Sequence, residues 1–140
     1  MRVITNDPYG YYSRPGLAYY LNGDLPREQL FPFHNQHWRD IGVRMVSGKV
    51  EALDPAAHAL RLNSGEALPY DRLLIATGAE AVLPDIPGIT LDGVVRLDNL
   101  QDADYILRLA RRGQTAVVTG GGITALELVE ALSSRGMKVH

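Results

Sequence analysis

Residues 115–132 read TAVVTGGGITALELVEAL, a buried-type strand, a glycine turn and an amphipathic helix with no gap between them. Few folds accept that order. A β-branched run predicts a strand over Thr115 to Thr119, and the spacing Gly120, Gly122 and Ala125 is GxGxxA. Gly120 permits a tight turn, Gly122 lets the backbone approach a pyrophosphate, and Ala125 lets the helix pack close to the sheet. Ala125, Leu128, Val129 and Leu132 share one face of that helix, Gly136 stops it, and Met137 to His140 begins another strand. The free N–H groups at the helix start suit a diphosphate. The expected NAD(P) contacts are therefore Gly120, Gly121, Gly122, Ile123, Thr124 and Ala125. A βα turn without a ligand is the alternative.

Upstream, Asp98 or Asn99 can cap a helix whose Leu100, Ala103, Ile106, Leu107 and Ala110 lie on one side. Arg108, Arg111 and Arg112 suit its C-terminal end and Gly113 its stop. Arg2 to Thr5 reads as a strand broken at once by Asn6, Asp7 and Pro8. A short helix follows from Leu17 to Leu21, closed by Gly23. Trp38 and Ile41 share a face of another helix that stops at Gly42, and a strand follows at Val43 to Val46. Lys49 to Asp54 and Ala59 to Leu62 are alternating runs, consistent with an antiparallel meander. Leu73 to Ala76 is wholly apolar, as in a strand buried on both faces of a parallel sheet.

Composition narrows function by exclusion. A net charge of −2 on 140 residues implies neither nucleic acid nor an acidic lipid surface, and there is no cysteine for a disulfide, thiolate metal site or redox thiol. Redox chemistry would have to come from a bound cofactor. His34, His37, His58 and His140 show no metal-ligand spacing, so no metal is expected. No apolar run is long enough to cross a bilayer, no signal peptide opens the chain, and the expected location is cytoplasmic.

Residues 70–88, YDRLLIATGAEAVLPDIPG, carry a resemblance. A strand ending in Ala76-Thr77-Gly78, then a proline-rich link and the glycine turn, resembles the second flavin motif of the pyridine nucleotide-disulfide oxidoreductase superfamily. That resemblance implies an α/β fold: a partial FAD/NAD(P)-binding three-layer fold, with a parallel Rossmann-like sheet and a small antiparallel meander. It implies residues 1–80 as a partial FAD-binding domain lacking its first strand and glycine loop, 81–98 as a connector, and 99–140 as the start of an NAD(P)H-binding domain. It also implies FAD contacts at Asp7 and Arg14, the latter within Tyr12-Ser13-Arg14-Pro15, and at Ala76, Thr77 and Gly78. A turn aspartate and a solvated arginine remain the alternatives for Asp7 and Arg14. Glu127 matches a position close to flavin and nicotinamide in the family, with a surface carboxylate as the alternative.

Pro15 stands where one branch of the superfamily has a reactive cysteine, so the chain is similar to the electron-transfer branch. That branch comprises rubredoxin and ferredoxin reductases and the flavin part of nitrite reductases. The resemblance implies FAD and NAD(P)H as cofactors and a small electron carrier, rubredoxin, ferredoxin or a partner reductase, as acceptor. Because the motifs cover only part of each cofactor site, the isolated chain is expected to be a fragment that binds FAD poorly and does not turn over. A Rossmann dehydrogenase for a small alcohol or acid, a non-catalytic nucleotide-binding module and an inactive remnant are the competing readings.

Overall fold

The computed structural model describes residues 1–140. In chain order the elements are β1 (Arg2–Thr5), α1 (Gly16–Asn22), a 3-10 turn (Arg27–Leu30), α2 (Asn35–Asp40), β2 (Arg44–Ser47), β3 (Val50–Asp54), β4 (Ala59–Leu62), β5 (Ala67–Pro69), α3 (Leu100–Leu109), β6 (Thr115–Ala116), α4 (Ile123–Ser134) and β7 (Lys138–Val139). The fold is mixed α/β. Contacts group the chain into two units, Met1–Tyr12 with Pro32–Gly78, and Ser13–Phe31 with Ala79–His140. The segment 13–31 thus packs with the later part of the chain.

In the first unit β1 and β2 pair in parallel, with Ile4 opposite Val46. β3, β4 and β5 form the antiparallel meander, with a register shift between Val50 and Ala52 that marks a bulge. Alternation along β4 sends Leu60 and Leu62 to one side and Arg61 to solvent. Leu60, Leu62 and Leu68 are buried, with Ile4, Val46 and Tyr70 packed against them, so the meander covers the parallel pair. Burying each leucine contributes about 1.5–3 kcal/mol. Tyr11, Phe33, His37 and Trp38 form a second, half-exposed cluster, with Phe33 and His37 stacked at 4.5 Å. Trp38 joins it, whereas Ile41, expected on the same helix face, is 56% exposed.

The expectation for Leu73 to Ala76 is overturned. These residues form no strand, and Leu74 and Ile75 are exposed. An apolar run becomes a buried strand only when another strand takes up its N–H and C=O groups. No strand of this chain lies in register beside it.

In the second unit α1 packs against α4 and, less extensively, α3. Leu17, Leu21, Leu30, Leu100, Ala103, Ile106, Ala131 and Leu132 are its buried apolar residues. Gly16 has to be small, because a Cβ there would lie 2.9 Å from a Leu30 methyl and 3.2 Å from one of Leu25. Gly23 ends α1 in the left-handed region at φ 97°. Arg27 and Tyr20 both hydrogen-bond Asp104, joining α1, the 3-10 turn and α3.

Asn99 is the residue that caps α3. Its side chain accepts from the Asp102 N–H while Asp102 accepts from the Asn99 N–H, a closed capping box. The helix stops earlier than expected: Ala110 is its C-cap, so Arg111 and Arg112 lie beyond it. The predicted strand over Thr115 to Thr119 is shorter, pairing with β7 only at Thr115 and Ala116, plus a bond from the Val118 N–H to the His140 carbonyl. Val117 is 72% exposed, again for want of a neighbouring layer. α4 buries Ala131 and Leu132 but leaves Leu126 67% exposed. No helix is long and apolar enough to cross a membrane.

Candidate functional site

The second unit holds the glycine turn. Gly120 has φ 136°, a backbone state that L side chains rarely adopt, and it lets the chain turn in the six-residue stretch between Ala116, the end of β6, and Ile123, the start of α4. A Cβ at Gly120 would meet the Ala125 methyl at an ordinary 3.6 Å, so conformation rather than space demands glycine there. Around Gly121 and Gly122 a Cβ would meet nothing within 4 Å, which leaves open room over the turn. Gly122 is the N-cap of α4 in an extended conformation, and its carbonyl accepts from the Ala125 and Leu126 N–H groups. It supplies no side-chain cap, and the first turn carries no acidic residue. A helix start left without a cap offers N–H donors and a positive dipole end. That arrangement fits a nucleotide diphosphate.

An open cleft of about 220 Å³ lies within the same unit, lined by Arg14, Pro15, Leu17, Ala18, Leu97, Asp98, Thr124 and Glu127. The fold therefore brings Arg14, two residues before α1, together with Thr124 and Glu127 of the first turns of α4, three of the candidate site residues. Arg14 donates to the Asp98 backbone carbonyl and enters none of the ion pairs. No carboxylate forms a salt bridge with it, although Asp98 and Glu127 line the same cleft.

The other predicted residues lie in the first unit. Asp7 follows β1 in a turn where its N–H donates to the Thr5 hydroxyl and its Oδ1 accepts from the Tyr9 N–H at 2.8 Å. One carboxylate oxygen is thus used by the turn itself, the pattern of an Asx turn. Ala76, Thr77 and Gly78 are exposed, and Gly78 has φ 71°.

With this geometry in place, residues 3–140 match the family described as pyridine nucleotide-disulphide oxidoreductase. The chain belongs to that family. Among its relatives, the large subunit of nitrite reductase [NAD(P)H] of Klebsiella oxytoca is 30% identical over 99% of this chain and 14% of that protein. Rhodocoxin reductase of Rhodococcus erythropolis is 32% identical over 98% of this chain and 33% of its own length. Two solved structures superpose closely. The ferredoxin reductase for the CYP199A2 system of Rhodopseudomonas palustris matches with a TM-score of 0.92 and 26% identity, covering 99% of this chain and 35% of that one. Putidaredoxin reductase, solved in covalent complex with putidaredoxin, matches with a TM-score of 0.87 and 27% identity over 99% and 34%. The chain thus spans about a third of rhodocoxin reductase and of the two solved reductases, and 14% of the nitrite reductase subunit.

Family membership fixes the fold, and the geometry adds residues that sequence patterns do not flag. Leu97 and Asp98 line the cleft beside Arg14. Asp98 reads in sequence only as one of two alternative helix caps. Its place beside Arg14 depends on a contact spanning 84 residues, which no local spacing announces.

Tyr20 and Asp104 carry opposing protonation shifts. Burial and the Asp104 hydrogen bond raise the Tyr20 phenol above its usual range. Burial works against the Asp104 carboxylate, but hydrogen bonds from Arg27 and Tyr20 and the Arg27 charge outweigh it and hold the group below its usual value. The pair ties the helices together and lies outside the cleft lining.

Proposed function

We propose that this chain is part of an FAD-dependent NAD(P)H oxidoreductase that moves hydride from NAD(P)H to FAD and then electrons to a small electron-carrier protein. The observation that carries this reading is the uncapped, acid-free start of α4 next to a cleft holding Arg14, Thr124 and Glu127. Family membership and the likeness to ferredoxin reductases support it. So does the neighbour solved with its electron carrier, putidaredoxin.

On this reading Gly120, Gly121 and Gly122 form the bed for the NAD(P)H diphosphate, and the N–H groups of Ile123 and Thr124 donate to it, with Ala125 keeping the helix close. Glu127 offers an acceptor on the wall of the cleft. Arg14 donates to the flavin cofactor. Asp7 keeps one carboxylate oxygen for its turn and offers the other to a ribose hydroxyl of FAD, while the backbone at Ala76, Thr77 and Gly78 approaches FAD without side-chain obstruction. FAD, when bound, supplies the chemistry that converts a hydride into single electrons. With no cysteine and Pro15 in the thiol position, the chain contributes no thiol step. A cytoplasmic location accompanies this reading.

The 140-residue chain by itself binds FAD weakly and does not oxidise NADH in steady state. Titration with FAD and separately with NADH, followed by visible absorbance and fluorescence, tests this. A stoichiometric yellow flavin band, or turnover of NADH, would contradict the weak-binding part. Saturable NADH binding with no response to FAD even at high concentration would favour a nucleotide-sensing module instead.

A further inference from the structure

We infer that Asp98 is the positioning residue that holds Arg14 at the mouth of the cleft, and that Arg96 in turn fixes Asp98. The inference rests on the reading of Arg14 as a cofactor contact and adds the means by which that contact is aimed.

Every polar group of Asp98 is engaged. Its carbonyl accepts from the Arg14 guanidinium. Its N–H donates to Asp102 Oδ2 at 2.9 Å, which ties it to the capping box of α3. Its carboxylate accepts from the Ala81 N–H at 3.1 Å to each oxygen and from Arg96 Nε at 3.0 Å. The side chain is only 16% exposed, so these bonds form in a partly desolvated setting.

Arg96 spans the same connector. It donates to the Ala81 carbonyl at 3.0 Å and pairs with Glu80. Residues 80–81 and 96–98 are thereby clasped side by side, and the clasp ends at the start of α3. Arg14, in contrast, is a long side chain with an exposed surface and no carboxylate partner. Such a side chain loses about 1.5–2 kcal/mol of rotamer freedom when it is ordered. A carbonyl pinned on three sides bears that cost before any ligand arrives, leaving the remaining guanidinium donors for an anionic or carbonyl oxygen of the ligand.

The test uses the full 140-residue chain labelled at arginine, with FAD alone as probe, read by the Nε–H signals of arginine in NMR titrations that tolerate weak binding. In the unchanged chain Arg14 gives a resolved signal, distinct from exposed arginines, that moves as FAD is added. Asp98→Ala is expected to return that signal to the averaged position and to weaken FAD binding roughly tenfold. Asp98→Asn, which keeps an acceptor for the Ala81 N–H, recovers most of the Arg14 signal, a rescue that a merely structural role would not produce. Arg96→Gln supplies the same test if Asp98→Ala fails to fold, with a smaller loss in the same direction. If Arg14 shifts with FAD equally in the unchanged chain, in Asp98→Ala and in Arg96→Gln, the positioning role is overturned while the cofactor reading stands. If Arg14 is held by Asp98 but FAD moves no signal in its vicinity, the positioning role stands and the cofactor reading fails.

Discussion

Two helices of one unit begin in opposite ways. α3 starts with Asn99 and Asp102 closing a capping box and with Leu100 fully buried beneath it. α4 starts at Gly122 with no side-chain cap, no acidic residue in its first turn, and Ile123 74% exposed. A capped helix start satisfies its own donors, whereas an uncapped one, as at α1 too, leaves them to water or a ligand. On the proposed reading, the difference separates the part of the unit that holds the structure from the part left for a nucleotide. On that reading a serine or aspartate at Gly122 would stabilise α4 by occupying the donors proposed for the diphosphate.

That contrast can be broken in graded ways. Leu100→Ala removes a side chain with no exposed surface and should destabilise the chain by about 2–5 kcal/mol in urea or thermal unfolding, the largest effect expected. Gly120→Val forces a β-branched residue to φ 136°, which should cost about 1–3 kcal/mol and abolish measurable NADH binding in a fluorescence titration. Asn99→Ala opens the capping box and should cost about 1 kcal/mol in stability with NADH binding unchanged. Thr124→Asp should act in reverse, adding about 0.3–1 kcal/mol through the helix dipole while weakening NADH binding, so that stability and affinity move apart. A parallel rise or fall of both would mean that the start of α4 is not reserved for a ligand.

The smallest effect concerns pH. The Asp104 carboxylate is held below its usual 3.8 in the folded chain, so the unfolded chain binds its proton first as pH falls. The contribution of this group is therefore complete above about pH 4 and is lost as pH drops through its lower folded value. Asp104→Asn should flatten the stability profile in that acid range and leave it unaltered near neutrality except for a constant offset, as read from urea midpoints at a series of pH values.

Much of this was legible from local pattern. The stops at Gly23, Gly42 and Gly136, the meander, the glycine turn and a cap at Asp98 or Asn99 depend on residues close in sequence, where periodicity and turn chemistry carry the information. What was not legible depends on distant partners. Nothing in Val117 or in Leu73 to Ala76 states whether a neighbouring layer exists, and their apolar character predicted burial that the structure does not show. The resemblance implies a cofactor contact at Arg14, but its tether at Asp98 is tertiary and no local pattern announces it. Arg111 and Arg112 suited a helix end, yet the helix closes at Ala110 before reaching them.

The run from Leu73 to Ala76 has a practical consequence for handling the protein. Leu74 is 87% and Ile75 66% exposed outside any strand, without charge between Leu73 and Gly78. Such a segment is a template onto which another chain can add a strand. Self-association will therefore rise with concentration, and light scattering will register it before any loss of secondary structure. A lysine at position 74 is the natural gatekeeper against it.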